Sequence, residues 1–209
     1  MSQEIKDEAL EQIEKDVQFG FEKEEILFES ILDMFYNVDN FDKEWLKKII
    51  NEKFNQHIAE SISWKKPTDF DRLAHSFDDL IRQKIVCIHK AGYTKQDGID
   101  DCDEATNELE KRGVKPIGFC YYHTQDLQRA IDPKEKNLLL GFGFLERDDE
   151  KALNIGKMIV ETLKKNNFEV KWSQNINERI EIVNINWKKM PDDNDWGIIR
   201  NIENMTSNK

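Results

Sequence analysis

The spacing of apolar residues divides the chain near residue 64. Before this point apolar side chains recur at helical spacing over residues 3–17, over residues 22–36, and from Asp39 or Asp42 to about residue 61. Gly20 is expected to end the first helix. The apolar face expected for the second helix comprises Ile26, Leu27, Ile31, Leu32 and Phe35. The pattern predicts a small all-helical segment over residues 1–62.

Beyond residue 64, short apolar runs alternate with helical patterns, and Pro67 marks the hinge because proline cannot continue a helix. The order predicted over residues 68–188 is α-β-α-β-α-β-α-β-β, and the last two strands, 168–172 and 179–187, form an antiparallel hairpin. The predicted class is α+β, a helical segment followed by a mixed sheet with packed helices. The expected domains are an acidic helical segment 1–62, an α+β domain 63–190 and a polar tail 191–209. This tail is expected to fray, although Trp196, Ile198 and Ile199 could dock.

The stretch 118–145 is the expected centre of the sheet. Its apolar runs 118–122 and 138–144 are too short for helices and too continuous for edge strands, so they predict central strands covered on both faces. Between them, Thr124 is expected to cap a short helix with Asp126 in its first turn. Ligand sites in open sheets form at strand ends. The densest polar cluster of the chain lies at such an end and consists of Tyr121, Tyr122, His123, Gln125 and Asp126.

Acidic charge is concentrated at the N-terminus. Residues 1–60 carry 16 acidic and 7 basic side chains, and residues 61–209 carry 26 and 24, within a total net charge of −11. Nucleic-acid binding requires clustered lysine and arginine, so this distribution argues against it. It favours a basic protein partner. The candidate partner-binding residues are Glu22, Glu24, Glu25 and Glu29, and the alternative is that these glutamates form an ordinary solvated helix face.

The apolar runs, the N-terminal residues and the cysteines indicate the cellular compartment. No apolar run approaches the roughly 20 residues that span a bilayer, and the acidic N-terminus does not resemble a signal peptide. Cys87, Cys102 and Cys120 show no CxxC spacing, which predicts reduced, structural thiols. We therefore expect a cytoplasmic protein with no membrane association.

Candidate chemistry centres on two histidines that end predicted strands, His89 and His123. With Asp126, or with Asp97 and Asp101, they could form a metal site of two histidines and a carboxylate, but the spacing matches no ligand motif and we expect no metal. The chain has no GxGxxG, GxxxxGK[ST], GxSxG or HExxH sequence, so no cofactor or catalytic residue is assigned. The ligand-binding candidates are His89, Tyr93, Tyr122, His123, Gln125 and Asp126.

Several short runs resemble an uncharacterised family of bacterial domains of unknown function. They are Trp64 with 67–69 and 71–73, 92–94 with 97–98, 122–123 with 125–126, 139–143, and Trp172 with 179–180. The resemblance covers about residues 64–188 and leaves the acidic helices outside. It implies no activity and assigns no residue a role.

Three hypotheses follow from the sequence. The leading one is a non-catalytic protein-binding role, as in an immunity or antitoxin-like protein that masks a basic partner. The second is a small-molecule-binding protein or enzyme with a pocket near His89, Tyr93, His123 and Asp126. The third is a scaffolding module whose helices mediate homodimerisation.

Overall fold

The computed structural model describes residues 1–146 and 148–206, and it confirms the α+β class. Within these residues the chain forms eight α-helices and five strands. In chain order they are α1 (Gln3–Phe19), α2 (Glu24–Met34), α3 (Lys43–Ser61), α4 (Asp69–Arg82), β1 (Ile85–Ile88), α5 (Lys95–Lys111), β2 (Gly118–Tyr121), α6 (Thr124–Ile131), β3 (Leu138–Phe144), α7 (Asp149–Lys165), β4 (Glu169–Lys171), β5 (Ile180–Val183) and α8 (Ile198–Thr206).

The chain forms two compact units. Unit 1 comprises Met1–Thr68 and Trp187–Asp193, and unit 2 comprises Asp69–Asn186 and the residues from Asn194 onward. Unit 1 is therefore discontinuous in sequence, because the chain returns to it after the last strand.

Unit 1 is built from α1, α2 and α3, which pack on one another. The Ser2 hydroxyl accepts a hydrogen bond from the backbone N–H of Ile5 at 3.3 Å, and the Asp42 carboxylate accepts one from Trp45 at 3.0 Å, so α1 and α3 each begin with an N-cap. The buried core consists of Ala9, Ile13, Val17, Leu27, Ile31, Phe35, Leu46, Ile50 and Phe54.

The return segment, Trp187–Asp193, is part of the fold of unit 1. Trp187 Nε1 donates to the backbone oxygen of Phe19 at 3.1 Å, and His57 Nε2 lies 2.9 Å from the backbone oxygen of Lys189. Gly20 ends α1 with φ +72°, and a Cβ atom at this position would overlap the Lys189 carbonyl. Glycine is thus required here both by its backbone conformation and by the close approach of the return segment.

Unit 2 contains the sheet, whose strand order is β1-β2-β3-β5-β4. Strands β1 and β2 are parallel, and every other neighbouring pair is antiparallel. Strands β2 and β3 take interior positions, as the two apolar runs predict, and β4 pairs with β5 as the expected hairpin. Two glycines, Gly98 and Gly141, lie against the ring of Tyr121, which leaves no room for a side chain at either position.

Two local predictions need correction. The N-cap of α6 is His123 rather than Thr124, whose hydroxyl instead donates to the backbone oxygen of Gly92 at 2.8 Å. The tail does not fray over Ile198–Thr206, because these residues form α8 and its Asn201 is fully buried. No helix in the described part of the chain combines the length and apolar character needed to cross a bilayer.

Candidate functional site

The carboxyl ends of β1 and β2 lie at the same edge of the sheet because the two strands are parallel neighbours. His89 follows β1 and His123 follows β2, so both histidines lie at this edge, where the sequence predicted a ligand site. The structure divides the candidate residues there into two separate groups of contacts.

The first group is a buried histidine–tyrosine pair. His89 Nδ1 lies 2.8 Å from the hydroxyl of Tyr122, and both side chains are buried. The imidazole is surrounded by the rings of Phe77, Trp196 and Phe70, whose centroids lie 4.4, 5.3 and 5.4 Å away. Burial raises the pKa of Tyr122 well above its ordinary value, so this phenol stays protonated. The pair is enclosed by aromatic side chains and is closed to a substrate.

The second group, which we call the polar cluster, consists of His123, Asp126 and Arg179. Arg179 binds the buried carboxylate of Asp126 through two parallel hydrogen bonds of 2.7 and 2.8 Å. Its Nη2 also lies 3.1 Å from His123 Nε2. Because arginine can only donate, His123 Nε2 must accept, and the ring proton is assigned to Nδ1. Nδ1 lies 3.1 Å from Asp126 Oδ2, outside hydrogen-bonding geometry.

The electrostatics of the polar cluster keep His123 neutral. Burial is the main cause that lowers the pKa of His123; the carboxylate of Asp126 opposes this shift, and the charge of Arg179 adds to it. The lone pair that a general base needs is already engaged by Arg179. The cluster therefore links α6 to the start of β5, and its geometry is that of a structural ion pair with a neutral histidine.

The same edge brings together the N-termini of α5 and α6, and each is capped by its own carboxylate. Asp97 accepts hydrogen bonds from the backbone of Tyr93 and Thr94 at 3.1 and 2.8 Å, and these bonds lower the pKa of Asp97. Asp126 accepts one from the backbone of His123 at 3.0 Å. Since carboxylates fill the positions that a bound anion would take, this edge is a poor phosphate site. The side chain of Tyr93 is exposed to solvent.

An open cleft of about 530 Å³ lies beside the polar cluster. Its rim carries both signs of charge, and Arg129 pairs with Glu135 at 3.1 Å. Gln125 lines this cleft, so the structure places it and Asp126 in one cavity, whereas His89 and Tyr122 are not among the lining residues. Over residues 1–146 and 148–206, no group of three histidine, cysteine, aspartate or glutamate side chains is placed to hold a metal ion.

A second candidate surface lies on α2 in unit 1. From Glu24 to Asp42 the chain has six acidic and no basic residues. Within the described residues, Glu24, Glu25, Glu29 and Asp33 form no salt bridge. These carboxylates therefore give the surface of α2 a net negative charge, with Lys23 close enough to Glu25 to interact with it.

The glutamates of α2 border a groove of about 310 Å³, which we call the acidic groove; its lining residues are Glu24, Glu25, Phe28, Glu29, Lys47 and Ile50. Glu22 belongs to the same acidic run in the sequence but is not among them. Ile26, which the helical pattern placed on the buried face, is 56% exposed, and Met34 is 47% exposed. Phe28 takes the inward position instead and packs against the core of unit 1. The groove combines an apolar floor with an acidic rim.

These features describe a two-unit α+β protein of an uncharacterised domain family. The chain belongs to the family described as "Domain of unknown function (DUF6891)", whose model matches residues 2–191. The resemblance seen in the sequence is thus confirmed, and the matched region also includes α1, α2 and α3. No curated protein and no solved structure matches the chain.

Sequence reasoning missed the central role of Arg179. The residue stands in one of the short runs that carry the family resemblance, and residues from two other runs, Asp97 and His123 with Asp126, lie at the same edge of the sheet. Its partner Asp126 is 53 positions away in sequence, so no local pattern pairs them. The lining residues Phe28 and Lys47 were also missed, because periodicity alone does not distinguish an inward side chain from one at the border of a groove.

Proposed function

We propose that this protein is a non-catalytic binding protein that masks a basic partner, in the manner of an immunity or antitoxin-like protein. The observation that carries the proposal is the acidic groove, in which three glutamates that form no salt bridge with any described residue border Phe28 and Ile50. Carboxylates in this arrangement attract a cationic surface over a distance and speed the encounter. The apolar side chains of Phe28 and Ile50 beside these carboxylates add short-range contacts once the partner has bound.

The alternative, a small-molecule or catalytic site at the sheet edge, has weaker support. His89 and His123 belong to separate groups, and the acceptor atom of His123 is engaged by Arg179. The proposal also includes a cytoplasmic location, which is supported by three cysteines that are all free and buried.

The test is a pull-down from lysate of the source cells at low and high salt, with the wild type compared with the triple variant Glu24→Gln/Glu25→Gln/Glu29→Gln. We expect the wild type to capture a basic protein that is released at high salt. The triple variant should weaken capture by roughly tenfold or more, since several attractive charges are removed together.

The matched control is Glu4→Gln/Glu8→Gln/Glu60→Gln. These three glutamates are exposed, lie in unit 1 outside the acidic groove, and change the net charge by the same amount. Equal loss of capture in both variants would show that only overall charge matters, and unchanged capture by the groove variant would refute the proposal.

A further inference from the structure

We infer that the acidic groove binds an amphipathic basic α-helix of the partner, with an apolar side chain of that helix seated on Phe28 and Ile50 and its lysine or arginine residues facing Glu24, Glu25 and Glu29. This inference rests on the proposed function, because it specifies the chemistry and shape of the basic partner. The shape, the floor and the charge of the groove each support this ligand.

The shape of the groove favours a helix. Its lining residues come from two packed helices, α2 and α3. A surface depression between two helices is the site in which a third helix packs, with its side chains entering between the ridges of the other two. Every residue of unit 1 is described, and none of them lies in a strand. Unit 1 therefore offers no sheet edge to which an extended segment could add.

The floor of the groove requires an apolar contact. Phe28 is half-buried, so a ligand that covers its exposed part displaces water from apolar carbon. Ile50 also lines the groove but is already almost fully buried. The volume of about 310 Å³ is at the lower end of the range of roughly 300–1,000 Å³ for small-molecule cavities, which suits side chains entering from a protein surface.

The charge of the groove selects the partner among macromolecules. Six acidic residues and no basic residue between Glu24 and Asp42 repel nucleic-acid phosphates and anionic lipid headgroups. Lys47 is the single cation among the lining residues, and three glutamates oppose it. A cationic helix with one apolar face therefore fits both the rim and the floor.

The inference is tested with three synthetic peptides and the full-length protein, by isothermal titration calorimetry near physiological salt. The first peptide, about 14 residues of leucine and lysine, places its leucines on one face of a helix. The second replaces every leucine by alanine, which keeps charge and helix propensity but removes the large apolar groups. In the third, proline replaces one central leucine, which keeps the charge but breaks the helix. We expect the first to bind roughly tenfold or more tightly than the other two.

The variants connect this binding to the groove. Phe28→Trp fills the groove while keeping an aromatic side chain against the core, and it should weaken binding of the first peptide by several-fold or more. Ile26→Gln changes an exposed residue of the same helix that does not line the groove, so it should leave this binding unchanged. Circular dichroism should stay unchanged in both variants. Equal binding of the alanine or proline peptide, or no effect of Phe28→Trp, would overturn the helix inference and leave the proposed function standing.

The proposed function itself fails if Glu24→Gln/Glu25→Gln/Glu29→Gln binds the first peptide as well as Glu4→Gln/Glu8→Gln/Glu60→Gln does. The groove could instead be filled by a second copy of this chain, and analytical sedimentation of the protein alone tests this. A dimer that the groove variant dissociates, and the control variant does not, would show that a second copy fills the groove and would overturn the inference.

Discussion

The imidazole of His123 is buried between a carboxylate and a guanidinium, and burial, more than either neighbour, holds its pKa below the ordinary value. Arg179 donates to Nε2, and Asp126 Oδ2 lies 3.1 Å from Nδ1. The residue is also the N-cap of α6. A side chain that a sequence reader selects as a ligand candidate is here part of the internal structure of the fold.

Stability should depend on pH through His123. Its pKa in the folded protein lies below the ordinary value of 6.5, so the unfolded chain binds a proton first as the pH falls below 6.5. The contribution of the neutral histidine is complete above that pH and is lost as the pH falls towards the folded pKa. The charges that face the ring are those of Asp126, Asp97 and Arg179.

Urea unfolding between about pH 8 and about pH 5.5, for the wild type and His123→Asn, measures this contribution. Asparagine is a favourable N-cap, so the variant should fold. We expect the wild type to lose more unfolding free energy than the variant as the pH falls. Parallel curves would show that His123 does not titrate differently in the two states.

At the scale of elements, α8 protects the edge of the sheet. The side chain of Asn201 is fully buried, its Oδ1 accepts from the backbone N–H of Cys87 at 2.8 Å, and its Nδ2 donates to the Cys87 carbonyl at 2.6 Å. The backbone N–H of His89 donates to the carbonyl of Trp196 at 3.0 Å. The C-terminal residues thus satisfy groups that an edge strand leaves open to pairing with another chain.

Replacing Asn201 by aspartate tests this role. The variant keeps the size and the acceptor but removes the Nδ2 donor, and it places a carboxylate near the Cys87 carbonyl. We expect the free energy of unfolding to fall by about 1–3 kcal/mol, or more because the buried group is charged. The control is Asn204→Asp on the same helix, where a half-buried amide donates to the carbonyl of Arg200; a change within about 0.5 kcal/mol is expected there. Equal losses would assign the effect to charge on α8.

The pattern of apolar residues predicts most helices and strands, but it does not predict how elements distant in sequence pack together. The strands β2 and β3 follow from two continuous apolar runs, and the hairpin follows from alternation. Helix α8 does not follow, because its position depends on hydrogen bonds from one asparagine to a strand 114 positions earlier. Arg179 likewise reads as the first residue of an alternating strand, and only the fold shows that it pairs with Asp126. Contacts between distant polar residues leave no periodic signal in a single sequence.

At the scale of the molecule, the chain forms two units that each bury a core of their own. The core of unit 1 contains Leu46 and that of unit 2 contains Leu109, and both leucines are fully buried on helices. The chain passes between the units at 68–69, 186–187 and 193–194. The family model matches residues 2–191, which include α1, α2 and α3 of unit 1 and the whole sheet of unit 2, so the acidic helices are not an appendage to the family domain.

The two cores predict that local damage stays within one unit. Leu46→Ala and Leu109→Ala remove the same side chain from equally buried sites, and each should lower the stability of its own unit by about 2–5 kcal/mol. Native-state hydrogen exchange resolves where protection is lost. We expect Leu46→Ala to speed exchange in α1 and α3 while the amides of β2 and β3 keep their protection. Leu109→Ala should have the reverse effect.

If either variant speeds exchange equally in both units, the two units unfold as one cooperative body. A partner helix in the acidic groove would then stabilise the whole chain. If the effects stay separate, partner binding should protect unit 1 alone, which the same exchange experiment with the leucine–lysine peptide would reveal.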